Sequence, residues 1–139
     1  MDRMRVLVVD DDSTVSRILG RVFERSGLQV TTAPNGKRAL DILTESAERF
    51  DAMVCDIQMP YMTGRELVRH LTTEGPYLPG CVFIVTSRSE SEERDWVKAH
   101  EGISLVEKPV SPKQILRLLK QRLGTDTEGG SDEPGRRAA

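Results

Sequence analysis

A doubly wound α/β domain, with a five-stranded parallel sheet in the order 2-1-3-4-5 and five helices over its two faces, is predicted by three observations. Five short apolar runs recur along the chain, a helical pattern fills every gap between them, and the runs differ in polarity. Strands that alternate with helices are joined by right-handed crossovers, which makes the strands parallel and covers both faces of the sheet. The runs VLVV (6 to 9), AMVC (52 to 55) and VFIV (82 to 85) are continuously apolar, as strands buried on both faces must be. VTTA (30 to 33) and LVE (105 to 107) are more polar and belong at the edges. The topological switch point then falls between the first and third strands.

The elements follow in order. After the first strand, Val15, Ile18, Leu19, Val22 and Phe23 step by threes and fours onto one side of a helix, with Ser13 as N-cap candidate and Gly27 as the stop. A second helix carries Ala39, Leu40, Leu43 and Ala47 after the turn PNG at 34 to 36. Thr63 and Glu66 form a capping box ahead of Leu67, Val68 and Leu71. The stretch SESEERDWVKAH (89 to 100) is acidic at its start, as a helix dipole prefers, and stops before Gly102, but its apolar side is thin. Trp96 within it reads equally as half-buried core or as a partner contact. In the fifth helix Ser111 caps, Pro112 takes the first position, Gln114 completes the box, and Ile115, Leu116, Leu118, Leu119 and Leu123 form the stripe up to Gly124.

The 139 residues, 37% hydrophobic and 30% charged with a formal net charge of −2, fit one globular domain and offer no basic footprint for direct nucleic-acid contact. Apolar runs end far short of the ~20 residues that span a bilayer, and the start MDRMRVLVVDDD lacks a signal peptide's pattern, so no membrane insertion and a cytoplasmic location are expected. Cys55 and Cys81 lie in apolar runs and read as reduced core thiols. His70 and His100 fall on helices away from the strand ends and read as ordinary surface or boundary residues. The domain is expected over 1 to 124. Residues 125 to 139, TDTEGGSDEPGRRAA, carry no large apolar side chain and are expected to be a disordered tail, too short and polar to form an output domain.

The chemistry is expected beyond the carboxyl ends of the strands, where ligands of open parallel sheets bind. The first strand ends in Asp10, Asp11 and Asp12, the third in Asp56, the fourth in Thr86 and Ser87, and the fifth in Glu107, Lys108 and Pro109. Three carboxylates within ~5 Å repel by about 1 to 3 kcal/mol per pair, so they must take up protons or hold a cation. Oxygen ligands without His or Cys favour a hard ion, magnesium or in its place manganese, that leaves positions open for phosphate. A lysine and a hydroxyl opposite would meet the remaining phosphoryl oxygens, and the arrangement suits transfer of phosphate to a carboxylate. Asp12 is assigned to the first helix or to solvent, because acidic residues after a strand commonly serve the next helix.

VVDDD, DIQMP followed by Gly64, TS and EKP, in that order and at helix-set spacings, resemble the receiver domains of bacterial two-component response regulators, close in layout to the stand-alone chemotaxis type. The resemblance covers residues 5 to 124 and implies a flavodoxin-like fold. It implies Asp56 as phosphoacceptor, Asp11 as direct magnesium ligand, Asp10 as a ligand through water, and the backbone carbonyl of Gln58 as a further ligand. Thr86 would bond a phosphoryl oxygen, and Lys108 would pair with the phosphoryl group or, before modification, with the carboxylate. A cis bond before Pro109 is implied as well. The implied partners are a histidine kinase or histidine phosphotransfer protein as donor, and an unknown downstream protein on the face of the fourth helix, fifth strand and fifth helix.

Three departures from the family pattern carry consequences. Leu105 stands where many members have a Tyr or Phe that swings inward on activation, so readout is expected from backbone and fourth-helix movement. Gln58 and Arg88, both long, are expected to shield the acyl phosphate from water. Ser87 replaces a frequent alanine and is small enough to keep phosphate access open. Competing classes are weaker. An aspartyl-phosphate phosphatase needs a second acid where Gln58 stands. A phosphorylation-independent docking adaptor would tolerate loss of the acidic pair, acceptor or lysine, all present here. Acidic strand-one ends would repel a flavin phosphate.

Overall fold

The computed structural model of the chain describes residues 3 to 87 and 91 to 124. Its elements are β1 (Arg5–Val9), α1 (Ser13–Arg25), β2 (Gln29–Ala33), α2 (Gly36–Glu45), β3 (Ala52–Asp56), α3 (Gly64–Thr73), β4 (Cys81–Thr86), α4 (Ser91–Lys98), β5 (Ile103–Glu107) and α5 (Pro112–Leu123). Neighbouring strands are parallel and the sheet order is β2-β1-β3-β4-β5, as the polarity of the runs predicts. β3 and β4 are buried along their whole length, and the edge strands β2 and β5 only in part. The expected tail at 125 to 139 and Arg88 lie outside the described residues.

Successive side chains of a strand point to opposite faces, and this period of two sorts the core. Val6 and Val8, Ala52 and Val54, and Phe83 and Val85 join Leu19, Phe23, Ile115 and Leu119 on the side of α1 and α5. Leu7 and Val9, Met53 and Cys55, and Val82 and Ile84 join Leu43, Leu67, Val68 and Val97 on the side of α2, α3 and α4. Trp96 belongs to this second core, which settles its two readings in favour of packing. Phe23 and Leu119 have no solvent exposure, and burial of such a side chain contributes about 1.5 to 3 kcal/mol.

The capping boxes of α3 and α5 are formed as expected. Thr63 Oγ1 accepts from the Glu66 N–H at 3.1 Å while Glu66 Oε1 accepts from the Thr63 N–H at 2.9 Å. Ser111 and Gln114 do the same at 3.1 and 2.8 Å, and Gly124 closes α5 in the left-handed region at φ 71°. Two helix ends differ from the sequence expectation. The N-cap of α1 is Asp12 and not Ser13: Asp12 Oδ1 accepts from the N–H groups of Thr14 at 2.9 Å and Val15 at 3.4 Å. A charged acceptor one residue earlier satisfies the orphan donors and complements the helix dipole, so it outcompetes the hydroxyl. Ala47, expected on the α2 stripe, is exposed beyond the helix, because Ser46 turns the backbone to extended geometry. Ser46 Oγ donates to the Glu48 carbonyl at 2.9 Å and accepts from the Arg5 guanidinium at 3.1 Å, contacts a longer helix would break.

Asp12→Ala is expected to cost about 1 kcal/mol of stability, while Asp12→Asn, which caps equally well, retains it. Chemical denaturation of the two variants checks this; equal losses would remove the capping role.

Candidate functional site

The period of two also places the acids. Asp10 follows Val8 and Asp56 follows Val54, so both carboxylates emerge on the α1 and α5 side at the carboxyl end of adjacent strands. The Asp10 N–H donates to the Ala33 carbonyl at 3.0 Å, which carries the β1 ladder one residue further and fixes the Asp10 backbone. Asp56 is the last residue of β3 and lies opposite Val85, and the Ile57 N–H continues that ladder to the Val85 carbonyl at 3.0 Å. Asp10 and Asp56 are 8% and 9% exposed, whereas Asp11 is exposed, and carboxylate oxygens of all three lie within 4.8 Å of one another. Lys108 completes the arrangement, its Nζ 3.7 Å from Asp56 Oδ1. Its backbone N–H donates to the Thr86 carbonyl at 2.8 Å, and its peptide bond to Pro109 is cis.

Burial is the main cause that pushes the Asp56 carboxyl above its ordinary range; Lys108 and the Gln58 backbone N–H oppose it, and Asp11 adds to it. Asp10 is likewise pushed up first by burial, then by the Asp56 charge, against a hydrogen bond from the Asp12 N–H at 2.9 Å. Among the described residues, the half-exposed Lys108 therefore does not offset the loss of water around two carboxylates. Oxygen-only donors with an excess of buried negative charge are what a hard divalent cation neutralises, so the residues present fit magnesium.

The remaining expected residues are placed as follows. Thr86 is 1% exposed at the end of β4, opposite Glu107. Ser87 and Gln58 are exposed beside the strand ends. Leu105 is partly buried in β5 against the α2, α3 and α4 core. Cys55 and Cys81 are free and buried, and burial pushes the Cys55 thiol up, as expected of core thiols. Gly64, read from the sequence only as part of the DIQMP motif, has a packing role at the site. Its N–H donates to the Ile57 carbonyl at 2.9 Å, and a Cβ there would stand 2.6 Å from the Asp56 carbonyl oxygen. The signal was a glycine at the first helical position, where other residues are preferred. Tyr61 is 85% exposed at φ 67° in the loop before α3.

A parallel sheet in this order, with an acidic trio and a lysine at its strand ends, defines the receiver class of two-component signalling, in which phosphorylation and magnesium binding are standard. The chain belongs to the response regulator receiver domain family, which matches residues 6–120. The response regulator MprA of Mycobacterium avium is 40% identical over 120 residues, 86% of this chain and 51% of the relative. The chain thus spans about half the length of the mycobacterial relatives it matches. Among solved structures, the chemotaxis response regulator CheY4 of Vibrio cholerae is 28% identical with a TM-score of 0.75, covering 86% of this chain and 98% of that one. A CheY-like receiver domain protein from Methanospirillum hungatei is 25% identical with a TM-score of 0.76, over 92% of this chain and 100% of that one. Among the described residues no helix is long and apolar enough to cross a membrane.

Proposed function

We propose that this domain takes a phosphoryl group onto Asp56 from a histidine kinase or phosphotransfer protein, and that the modified state changes binding to a downstream protein on the α4, β5 and α5 face. The observation that carries this reading is the position of Asp56 at the end of β3, with oxygens of Asp10 and Asp11 within 4.8 Å and Lys108 Nζ at 3.7 Å. An Asp56 oxygen attacks phosphorus as the bond to the donor breaks and its electron pair leaves with the donor. Asp10, Asp11, Asp56 and the Gln58 carbonyl would hold magnesium, which would supply neutralisation of charge on the transferring group. Lys108 turns from the carboxylate to the phosphoryl oxygens, and the Thr86 hydroxyl bonds another. The reaction is a single modification of the domain's own residue and not turnover of a separate substrate.

The rest of the reading concerns lifetime and readout. Gln58 and Arg88 shield the acyl phosphate from water, and Ser87 leaves room for the donor. Leu105 offers no ring to swing inward, so displacement of Thr86 is read through the backbone after β4 and through α4. Residues 1 to 124 act as the receiver, in the cytoplasm.

Intact mass after incubation with acetyl phosphate tests the acceptor. A gain of one phosphoryl group with magnesium, lost on chelation and absent in Asp56→Asn, is expected. A gain that persists in the variant would move the acceptor elsewhere, and no gain with the fold intact would favour the phosphorylation-independent adaptor.

A further inference from the structure

Between α1 and α5 the structure leaves a cavity of about 420 Å³. Val8, Val54 and Val85 of the strands and Leu19 and Ile115 of the helices line it, each no more than 6% exposed, together with Ile18, 46% exposed. Valine on each of the three central strands makes a low floor under the two helices. The volume falls within the roughly 300 to 1,000 Å³ of ordinary small-molecule sites. Since a dry apolar cavity of about 150 Å³ takes benzene, this one has room for a body of about a dozen non-hydrogen atoms. Water gains little from such walls, so an apolar occupant is favoured over solvent.

One end of the cavity is not apolar. The alternation that lays Val8 and Val54 on its floor also brings Asp10 and Asp56 to its end, where Lys108 is the charged group that faces them. Among the described residues that line it, two carboxylates against one ammonium leave that end anionic. A neutral hydrocarbon leaves this end unsatisfied and an anion is repelled, whereas a cation forms charge-assisted hydrogen bonds with it.

We propose that the cavity between α1 and α5 binds a small cationic amphipath, an ammonium or amidinium group on a compact hydrocarbon body, and that its occupancy keeps Asp56 unphosphorylated. The second half rests on the reading of Asp56 as phosphoacceptor. With the hydrocarbon among the valines, the ammonium sits on the Asp10 and Asp56 oxygens, which denies the acceptor to a phosphodonor and displaces a divalent cation. The domain would then sense a metabolite class directly, independently of its kinase.

The test uses the full chain with 13C-labelled valine methyls in chelator, titrated with 4-phenylbutylamine. Saturable shifts at the methyls of Val8, Val54 and Val85 are expected, with 4-phenylbutan-1-ol binding about tenfold more weakly and 4-phenylbutyrate more weakly still. Ile18→Ala, a change at an exposed position, should weaken amine and alcohol alike, while Asp10→Asn should weaken only the amine. Shifts confined to residues at the carboxylate end and unchanged in Ile18→Ala would reduce the effect to ion pairing and overturn the site. Phosphoryl uptake from acetyl phosphate is then followed at saturating amine in buffer with magnesium in place of the chelator. Unchanged uptake by a chain whose valine methyls are shifted would overturn the inhibitory half. No uptake even without amine would instead overturn the reading of Asp56 and leave the cavity site standing on the methyl shifts.

Discussion

Gly64→Ala is expected to lower the melting temperature by about 4 to 10 °C, the equivalent of the 1 to 3 kcal/mol that overpacking a closed interior costs. The added methyl would stand 2.6 Å from the Asp56 carbonyl oxygen, 3.0 Å from the Ile57 Cα and 3.3 Å from the Cys55 sulfur. The two nearest of these atoms are backbone at the end of β3 and cannot swing aside as a flexible side chain would. Relief must come from a shift of α3 or of the strand end, and either moves the acceptor relative to Asp10 and Lys108. The variant should therefore also be phosphorylated more slowly than the wild type. Gly80→Ala serves as the control, since a Cβ there meets nothing within 4 Å. Thermal unfolding by circular dichroism decides: equal effects of the two substitutions would mean that α3 is free to retreat from the strand.

In chelator at pH 7, Asp56→Asn should melt above the wild type by about 3 to 8 °C, a gain set by the repulsion removed between close carboxylates. The carboxyl of Asp56 is raised in the folded state by burial, so the folded protein binds its proton more tightly than the unfolded chain does. Its contribution to stability is fully present below the unfolded value near 3.8 and is lost as pH rises through the folded one. The advantage of the amide should accordingly shrink toward pH 4. The amide also forfeits the pair with Lys108, but that lysine is 40% exposed and such pairs are worth little. Melting curves between pH 4 and pH 8 provide the check. A variant less stable than the wild type at neutral pH would mean that the lysine outweighs burial and repulsion. Saturating magnesium should stabilise the wild type by mass action and the variant much less.

The sheet order was legible because polarity along each run reports how many of its faces are covered, and β2 and β5 betray themselves through Thr31, Thr32 and Ser104. The strand-end residues Asp10, Asp11, Asp56 and Lys108 were legible for a related reason, since a parallel sheet delivers every strand's carboxyl end to one edge. Helix ends were less so. Whether Asp12 or Ser13 caps α1 depends on which oxygen reaches the Thr14 and Val15 N–H groups, a matter of one residue's backbone angle. The end of α2 depends on Arg5, some forty positions away in sequence. Trp96 could not be assigned from its own helix, because what covers it belongs to other elements. Gly64 and the cavity were hidden for the same reason: each is defined by the distance between two segments, and sequence alone carries no distances.

The alternation along β3 has a consequence for how the gene can change. Cys55 and Asp56 face opposite sides of the sheet. Loss of one residue within β3, with the flanking register kept, would present the neighbouring side chain at the strand end and turn the acid toward the α2, α3 and α4 core. A frame-preserving deletion there is thus a chemical substitution as well as a shortening. Substitutions at Asp56 and single-codon length changes in β3 should be tolerated equally badly, while the same length changes in the loop between α3 and β4 leave the parity of every strand intact.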